Sequence, residues 1–247
     1  MTDETIALIT GANRGVGRAV ARQLTDRGAT VLLGSRDLGR GEEAAEALRS
    51  GGGDVRALML DVTDAATIES AARQIDERFG RLDVLVNNAG ISGSPGPTEP
   101  ATADLNLVRR VFETNVFGVI AVTNAMLPLL SRSAAARIVN VSSGIGSLAY
   151  MTDPDHYMSR LPGHAAYPPS KTALNSLTVQ YAKDLREQGI LINACTPGPC
   201  ATDFTRHLGL PVTRTADDGA AIVVRLATLG ADGPTGGFFD DDGVVPW

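Results

Sequence analysis

"TIALITGANRGVGRAVARQL", residues 5–24, is the stretch that decides the fold. Its first half is an apolar run with β-branched residues that stops at Gly11, and its second half has the periodicity of a helix. Between them lie Gly11, Gly15 and Gly17, with Asn13, Arg14 and Val16 interleaved. Glycines at a strand–helix joint permit a tight turn and close approach of a ligand to the backbone. The helix N-terminus that follows suits the charge of a pyrophosphate. The spacing is not the tighter G-x-G-x-x-G of the common dinucleotide fingerprint. A merely structural glycine turn is the alternative, and the rest of the chain bears on it.

Working outward, the pattern repeats. "ATVLLGSR" reads as a second strand, "GEEAAEALRSGG" as a helix and "VRALMLDV" as a third strand. "ATIESAARQIDERFG" is the next helix and "LDVLVNNAG" the fourth strand. A long helical pattern runs over 104–130, with Pro128 near its end, and "ARIVNVSS" is the fifth strand. An irregular stretch, 144–165, precedes a helix expected over 168–188, and "ILINACTPG" is the sixth strand. A late helix in "TADDGAAIVVRLATLG" and a short strand in "GGFFDDDGVVPW" complete the series. Nearly continuous apolar strands alternating with amphipathic helices require a sheet covered on both faces. Right-handed crossovers then favour an α/β doubly wound Rossmann fold, with a mostly parallel seven-stranded sheet and helices on both faces. No linker, repeat or low-complexity tract interrupts it, so 1–247 reads as a single domain. In that setting the glycine turn is the first unit of a nucleotide-binding sheet.

Apolar residues make up 43 % of the chain, enough for a substantial core. The formal net charge of −6, without a compensating basic block, argues against a nucleic-acid partner. Acidic Asp3 and a core-like strand from Ile6 leave no pattern of a secretory leader at the N-terminus. "FGVIAVTNAMLPLL" reads as too short and too polar to span a bilayer. The expectation is a cytoplasmic protein with reduced thiols at Cys195 and Cys200. The three histidines, His156, His164 and His207, are not spaced as a metal cluster and read as loop surface. No metal site is expected.

The second strand ends in "GSRD". An acidic residue at its very tip would select a ribose 2′-hydroxyl, hence NAD. Arg36 stands there instead, and Asp37 follows one place later. Arg36, with Arg14 from the glycine turn, suits a 2′-phosphate, so NADP(H) is the expected cofactor. Asp37 keeps NAD open. Asp61, with Val62 beside it, ends the third strand; it serves either the adenine amino group or a plain strand-end cap.

"AYPPSK", residues 166–171, sets Tyr167 and Lys171 four apart, one helical turn. Pro168 and Pro169 between them are tolerated only in a first turn, where amides have no intrahelical acceptor. The prolines therefore place Tyr167 at or beside a helix start.

These motifs, in this order, resemble the classical short-chain dehydrogenase/reductase superfamily. The resemblance rests on the glycine turn, "NNAG" at 87–90, Asn115, the serine after the fifth strand, Tyr167 with Lys171, and Pro197–Gly198. "FETNVFG", "RIVNVSSGIGSL" and the terminal "TGGFFDDDGVVPW" are similar to the carbonyl-reductase-like branch. The resemblance implies NADPH-dependent interconversion of a ketone or aldehyde with an alcohol. It implies Tyr167 as general acid/base, Lys171 as the cation that lowers the tyrosine pKa and holds the nicotinamide ribose, and Ser143 as the donor to the substrate oxygen. Asn115 is implied to anchor a proton-relaying water; a bond to a neighbouring loop is the alternative. Asn88, Ala89 and Gly90 are implied to floor the cofactor, and Pro197, Gly198, Cys200 and Thr202 to border its nicotinamide end. Cys200 also reads as a small buried hydrophobe. A non-catalytic NADP(H)-binding sensor is the rival function, which loss of Tyr167 or Lys171 would have favoured.

The 23 residues between Ser143 and Tyr167 exceed the usual gap of the family, the excess falling around 149–164. Met151, Tyr157, Met158 and Leu161 are its candidates for facing the cleft or the core. The other wall of the pocket is expected from 203–215. A small-molecule carbonyl or alcohol is the expected partner, with monomer and homodimer equally open.

Overall fold

The computed structural model describes residues 5–93, 98–206 and 212–247. Asp3, His207 and the part of the expected pocket wall at 207–211 lie outside the described residues. Seven strands form one sheet: β1 (Ile6–Ile9), β2 (Thr30–Ser35), β3 (Val55–Met59), β4 (Val84–Asn87), β5 (Arg137–Val141), β6 (Leu191–Cys195) and β7 (Phe238–Phe239). Their order is β3-β2-β1-β4-β5-β6-β7, and every neighbouring pair is parallel. This is the doubly wound Rossmann architecture.

Strand alternation explains the two layers. Ala7, Ile9, Val31, Leu33, Val84 and Val86 face one side, under α1 (Gly15–Thr25), α2 (Leu38–Arg49) and α9 (Ala216–Ala227). Ile6, Leu8, Leu32, Leu85 and Ile138 face the other, under α3 (Ala65–Phe79), α5 (Gly118–Leu130) and α7 (Tyr167–Asp184). Both faces are covered, so the strands are largely apolar, as parallel sheets require. The direction in which successive strands are added reverses between β1 and β4, and the carboxyl ends of those strands open the crevice where such sheets take ligands.

Three expectations need correction. The irregular stretch before Tyr167 holds α6 (Leu148–Thr152), flanked by single 3₁₀ turns at Gly144–Gly146 and Tyr157–Arg160. It is pinned by the chain's last residues: Ala149 N–H donates to the Trp247 carbonyl (3.0 Å) and Ser147 Oγ to that of Pro246 (2.6 Å). These tertiary ties supply what the weak periodicity did not. The helix expected over 168–188 is α7 followed by a separate 3₁₀ turn, Arg186–Gln188, closed by Gly189.

The third correction concerns length. α4 (Leu105–Phe112), a π-helical turn (Glu113–Phe117) and α5 run on as one 26-residue helix, long and apolar enough to cross a membrane by length and composition. The shorter quoted stretch understated it. Half of its most apolar window is buried inside the fold, as in a core helix.

Candidate active site

The glycine turn joins β1 to α1. Gly11 has a φ of 63° and Gly15 one of 56°, the left-handed region that glycine enters without strain. Gly17 is required for another reason. A Cβ there would fall well inside contact distance of Asn88 Nδ2, and 2.9 Å from the Gly11 carbonyl oxygen. Asn88 braces the turn from the end of β4: its Nδ2 donates to the carbonyls of Thr10 (2.8 Å) and Gly11 (3.2 Å). Thr10 Oγ1 in return accepts from the amides of Asn88 (3.0 Å) and Ala89 (2.9 Å). Gly17→Ala is therefore expected to cost about 1–3 kcal/mol, the usual range for overpacking. A thermal melt checks it, with a fall of roughly 2–4 °C per kcal/mol at this chain length.

A dinucleotide fits this turn. The N-cap of α1 is Arg14, whose side chain makes no capping bond, so the first amides of the helix face outward without an internal side-chain acceptor. Asn13, Gly15 and Val16 are only half-buried. Arg36 is exposed at the tip of β2. Asp37 does different work: its Oδ1 accepts from the Arg40 amide and caps α2 (3.1 Å). Arg14 pairs with Asp203 across the groove (3.2 Å). Asp61 Oδ1 accepts from the amide (2.9 Å) and the hydroxyl (2.8 Å) of Thr63, a strand-end cap. Val62 is buried, its side chain packed onto Gly118 at the start of α5.

At the carboxyl ends of β5 and β6 a second cluster forms. Tyr167 is the first residue of α7, and the two prolines fall in the same first turn, as the sequence predicts. Lys171, one turn on, is buried and lies with Nζ 5.6 Å from the centre of the Tyr167 ring. Its Nζ donates to the Val141 carbonyl (2.8 Å) at the end of β5. Ser143 follows two residues later, close enough to the Tyr167 phenol to lower its pKa. Ser142 points inward instead, donating to Asn175 Oδ1 (2.6 Å).

Asn115 is fully buried in the π-helical turn, where the Gly118 amide reaches back five residues to Glu113. Its Oδ1 accepts from the Ile91 amide (2.9 Å), and its Nδ2 donates to the Ile91 carbonyl (2.9 Å) and to Ser170 Oγ (3.0 Å). Ser170 Oγ donates onward to the Tyr167 carbonyl (2.7 Å). Asn115 thus ties the loop after β4 to the turn carrying Tyr167. A Cβ on Gly90 would lie 3.3 Å from Asn115 Oδ1 and 3.7 Å from Lys171 Nζ, so "NNAG" ends where these groups meet.

The electrostatics depart from expectation. Burial pushes the Tyr167 phenol up to about 12, and the neighbouring Ser143 hydroxyl opposes this only in part. Burial also pulls Lys171 down to about 8. The sequence predicts that Lys171 lowers the tyrosine. Here loss of hydration outweighs the cation, because phenol and ammonium are both withdrawn from water and the ammonium is spent on the Val141 carbonyl.

The remaining expected residues border this cluster. Pro197 is buried and Gly198 is exposed after β6. Thr202 is half-buried, its methyl 3.6 Å from where a Cβ on Gly15 would sit. Cys200 is buried; its Sγ points to the Pro197 carbonyl (3.6 Å) and packs tightly over Gly219 of α9. Cys195 and Cys200 are both free thiols. In the insertion, Met158 packs over Gly144 beside Ser143, while Tyr157 and Leu161 are exposed. Phe204 in α8 (Asp203–Arg206) lies against the Tyr167 ring, centroids 5.5 Å apart, which no pattern in "DFTR" announced. His156 and His164 are not plain loop surface: His156 stacks on Tyr150 (4.1 Å), and His164 caps α7. Among the described residues no group of three His, Cys, Asp or Glu is placed to hold a metal ion.

The model of the short chain dehydrogenase family matches residues 5–211, most of the chain and nearly every residue just described. The chain belongs to that family. It is 37 % identical to the short-chain dehydrogenase anuI of Penicillium roqueforti, over 96 % of this chain and 94 % of that one. It is 31 % identical to carbonyl reductase [NADPH] 1 of Rattus norvegicus, covering 100 % of this chain and 99 % of that one. Among solved structures, the NADPH-bound carbonyl reductase from chicken fatty liver superposes with a TM-score of 0.84 at 29 % identity, over 99 % of both chains. The chain is thus an oxidoreductase of this family with carbonyl-reductase-like relatives.

Proposed function

We propose that this protein is an NADPH-dependent carbonyl reductase, reversible as an alcohol dehydrogenase, acting on a small ketone or aldehyde. The observation that carries the reading is the meeting of Tyr167, Lys171 and Ser143 at the carboxyl edge of the sheet, beside the glycine turn. When bound, the nicotinamide cofactor supplies the hydride. Gly11, Asn13, Gly15, Val16 and Gly17 hold its pyrophosphate, with Asn88, Ala89 and Gly90 beneath and Asp61 and Val62 at the adenine side. Pro197, Gly198, Cys200 and Thr202 border the nicotinamide end, Cys200 through its backbone.

Ser143 orients the substrate oxygen. Tyr167 then gives that oxygen its phenolic proton. A phenol held at about 12 keeps this proton at neutral pH, which suits the reductive direction. Lys171 stays mostly protonated below about 8 and stabilises the phenolate that forms. Asn115, through Ser170, fixes the backbone that carries the tyrosine. The sequence 1–247 acts as one domain, in the cytoplasm, as a monomer or homodimer.

The test is direct. Purified protein is mixed with NADPH or NADH, and absorbance is followed with a panel of ketones, aldehydes and quinones. Turnover of a carbonyl with NADPH is expected; tight cofactor binding with no turnover on the whole panel favours the sensor instead. Cofactor choice has its own test. Replacing Arg14 and Arg36 together by alanine removes two charge-assisted contacts to the 2′-phosphate. KM for NADPH is expected to rise roughly tenfold or more, with that for NADH nearly unchanged. Equal effects on both cofactors would show that the arginines do not read the phosphate.

A further inference from the structure

α7 begins with an unusual account of its backbone donors. An α-helix leaves about four amides at its start without intrahelical acceptors. In α7 those positions are Ala166, Tyr167, Pro168 and Pro169. The two prolines carry no N–H, so only Ala166 and Tyr167 have donors to satisfy. Ala166, the N-cap, is buried and has no side-chain acceptor to offer. His164 fills that place: its Nδ1 accepts from the Ala166 amide (3.1 Å) and the Tyr167 amide (3.3 Å). The carbonyl side of Tyr167 is held separately, by Ser170 Oγ (2.7 Å).

We propose that His164 is a positioning residue for Tyr167, whose neutral imidazole, bare at Nδ1, fixes the backbone from which the phenol is aimed, and whose protonation releases it. This rests on the reading of Tyr167 as the proton donor. Nδ1 accepts only in the tautomer with its proton on Nε2; the imidazolium has a donor at both nitrogens. Protonated His164 would set an N–H against two N–H groups, one of them on a buried residue. Burial lowers the His164 pKa, and Glu99 opposes this. Glu99 belongs to the segment 98–103, which packs on His164's loop through the bond from the Ala165 amide to the Thr98 carbonyl (2.8 Å). Tyr167 is the titratable group on the helix it caps. The sign follows: the cap is intact above the ordinary histidine range, weakens as pH falls below it, and is lost through the lowered pKa.

Two variants and two readouts test this. Asparagine at 164 offers a non-titrating acceptor of similar reach; alanine offers none. Wild type is expected to lose kcat as pH falls below the ordinary histidine range, with KM for NADPH steady. His164→Asn should keep most of the neutral-pH turnover and lack that acid limb. His164→Ala should lose kcat roughly tenfold near neutral pH, in the range of a lost cap, with the gap to wild type closing as pH falls. The second readout needs no substrate, so it stands even if no carbonyl is turned over. By NMR, protection of the Ala166 and Tyr167 amides from hydrogen exchange should drop in wild type between about pH 7.5 and about pH 5.5. In His164→Asn it should not. Protection that stays constant in wild type, or an acid limb shared by His164→Asn, overturns the proposal whether or not His164→Ala folds.

Discussion

Tyr167→Phe is expected to lower carbonyl reduction about a thousandfold, within the range for loss of a general acid, while cofactor affinity and the melting temperature stay near wild type. The substitution removes one oxygen and keeps the ring. The packing against Phe204 and the cation above the ring persist, so the first turn of α7 has no reason to shift. What goes is the proton. Ser143 has a hydroxyl at the same place, but a serine hydroxyl is a far weaker acid than a phenol even at a pKa of about 12. The check is a steady-state rate by NADPH absorbance beside a cofactor titration by fluorescence. Full activity in the phenylalanine variant would sink the mechanism; lost activity together with lost cofactor binding would point to a damaged fold.

The same residues show what a sequence can and cannot disclose. The sheet was legible because both its faces are covered, so residues such as Ile6 to Ile9 are apolar without a break. The Tyr167–Lys171 pair was legible because one helical turn is a local distance, and the prolines marked the helix start for a local reason. Contacts between distant segments were not. Asn115 joins Ile91 to Ser170, and Phe204 meets Tyr167 from a four-residue helix beyond β6. His164 looked like loop surface because its partners are backbone amides, which no side-chain pattern reveals. The tyrosine pKa went astray for a related reason. A neighbouring cation can be read from spacing, but the depth of burial that outweighs it depends on everything packed around both groups.

That burial gives Lys171→Met its expected signature: turnover falls at least about a hundredfold, yet the protein is as stable as wild type or more so. Lys171 is 4 % exposed, and among the described residues its ammonium has one acceptor at hydrogen-bonding distance, the Val141 carbonyl. Its pKa of about 8 lies below the ordinary lysine value of 10.5. Between those two values the unfolded chain binds a proton that the fold does not, so stability rises with pH there. Below about 8 the folded chain carries the full penalty of a charged, desolvated lysine, at most about 3 kcal/mol. Methionine has similar length, removes that penalty and fills the space, although it withdraws the donor from Val141, worth about 1–3 kcal/mol in the other direction. The two nearly offset, so thermal melts near pH 7 should not fall. Catalysis has no such offset, because the phenolate formed on Tyr167 loses its neighbouring cation. The pH–rate profile separates this from mere repacking. With the phenol protonated up to about 12, the alkaline fall of wild-type kcat/KM belongs to Lys171 and is expected near 8. The methionine variant should retain a low rate without that fall. A wild-type profile that stays flat to well above pH 8, or a methionine variant that keeps the same limb, would assign the titration to another group.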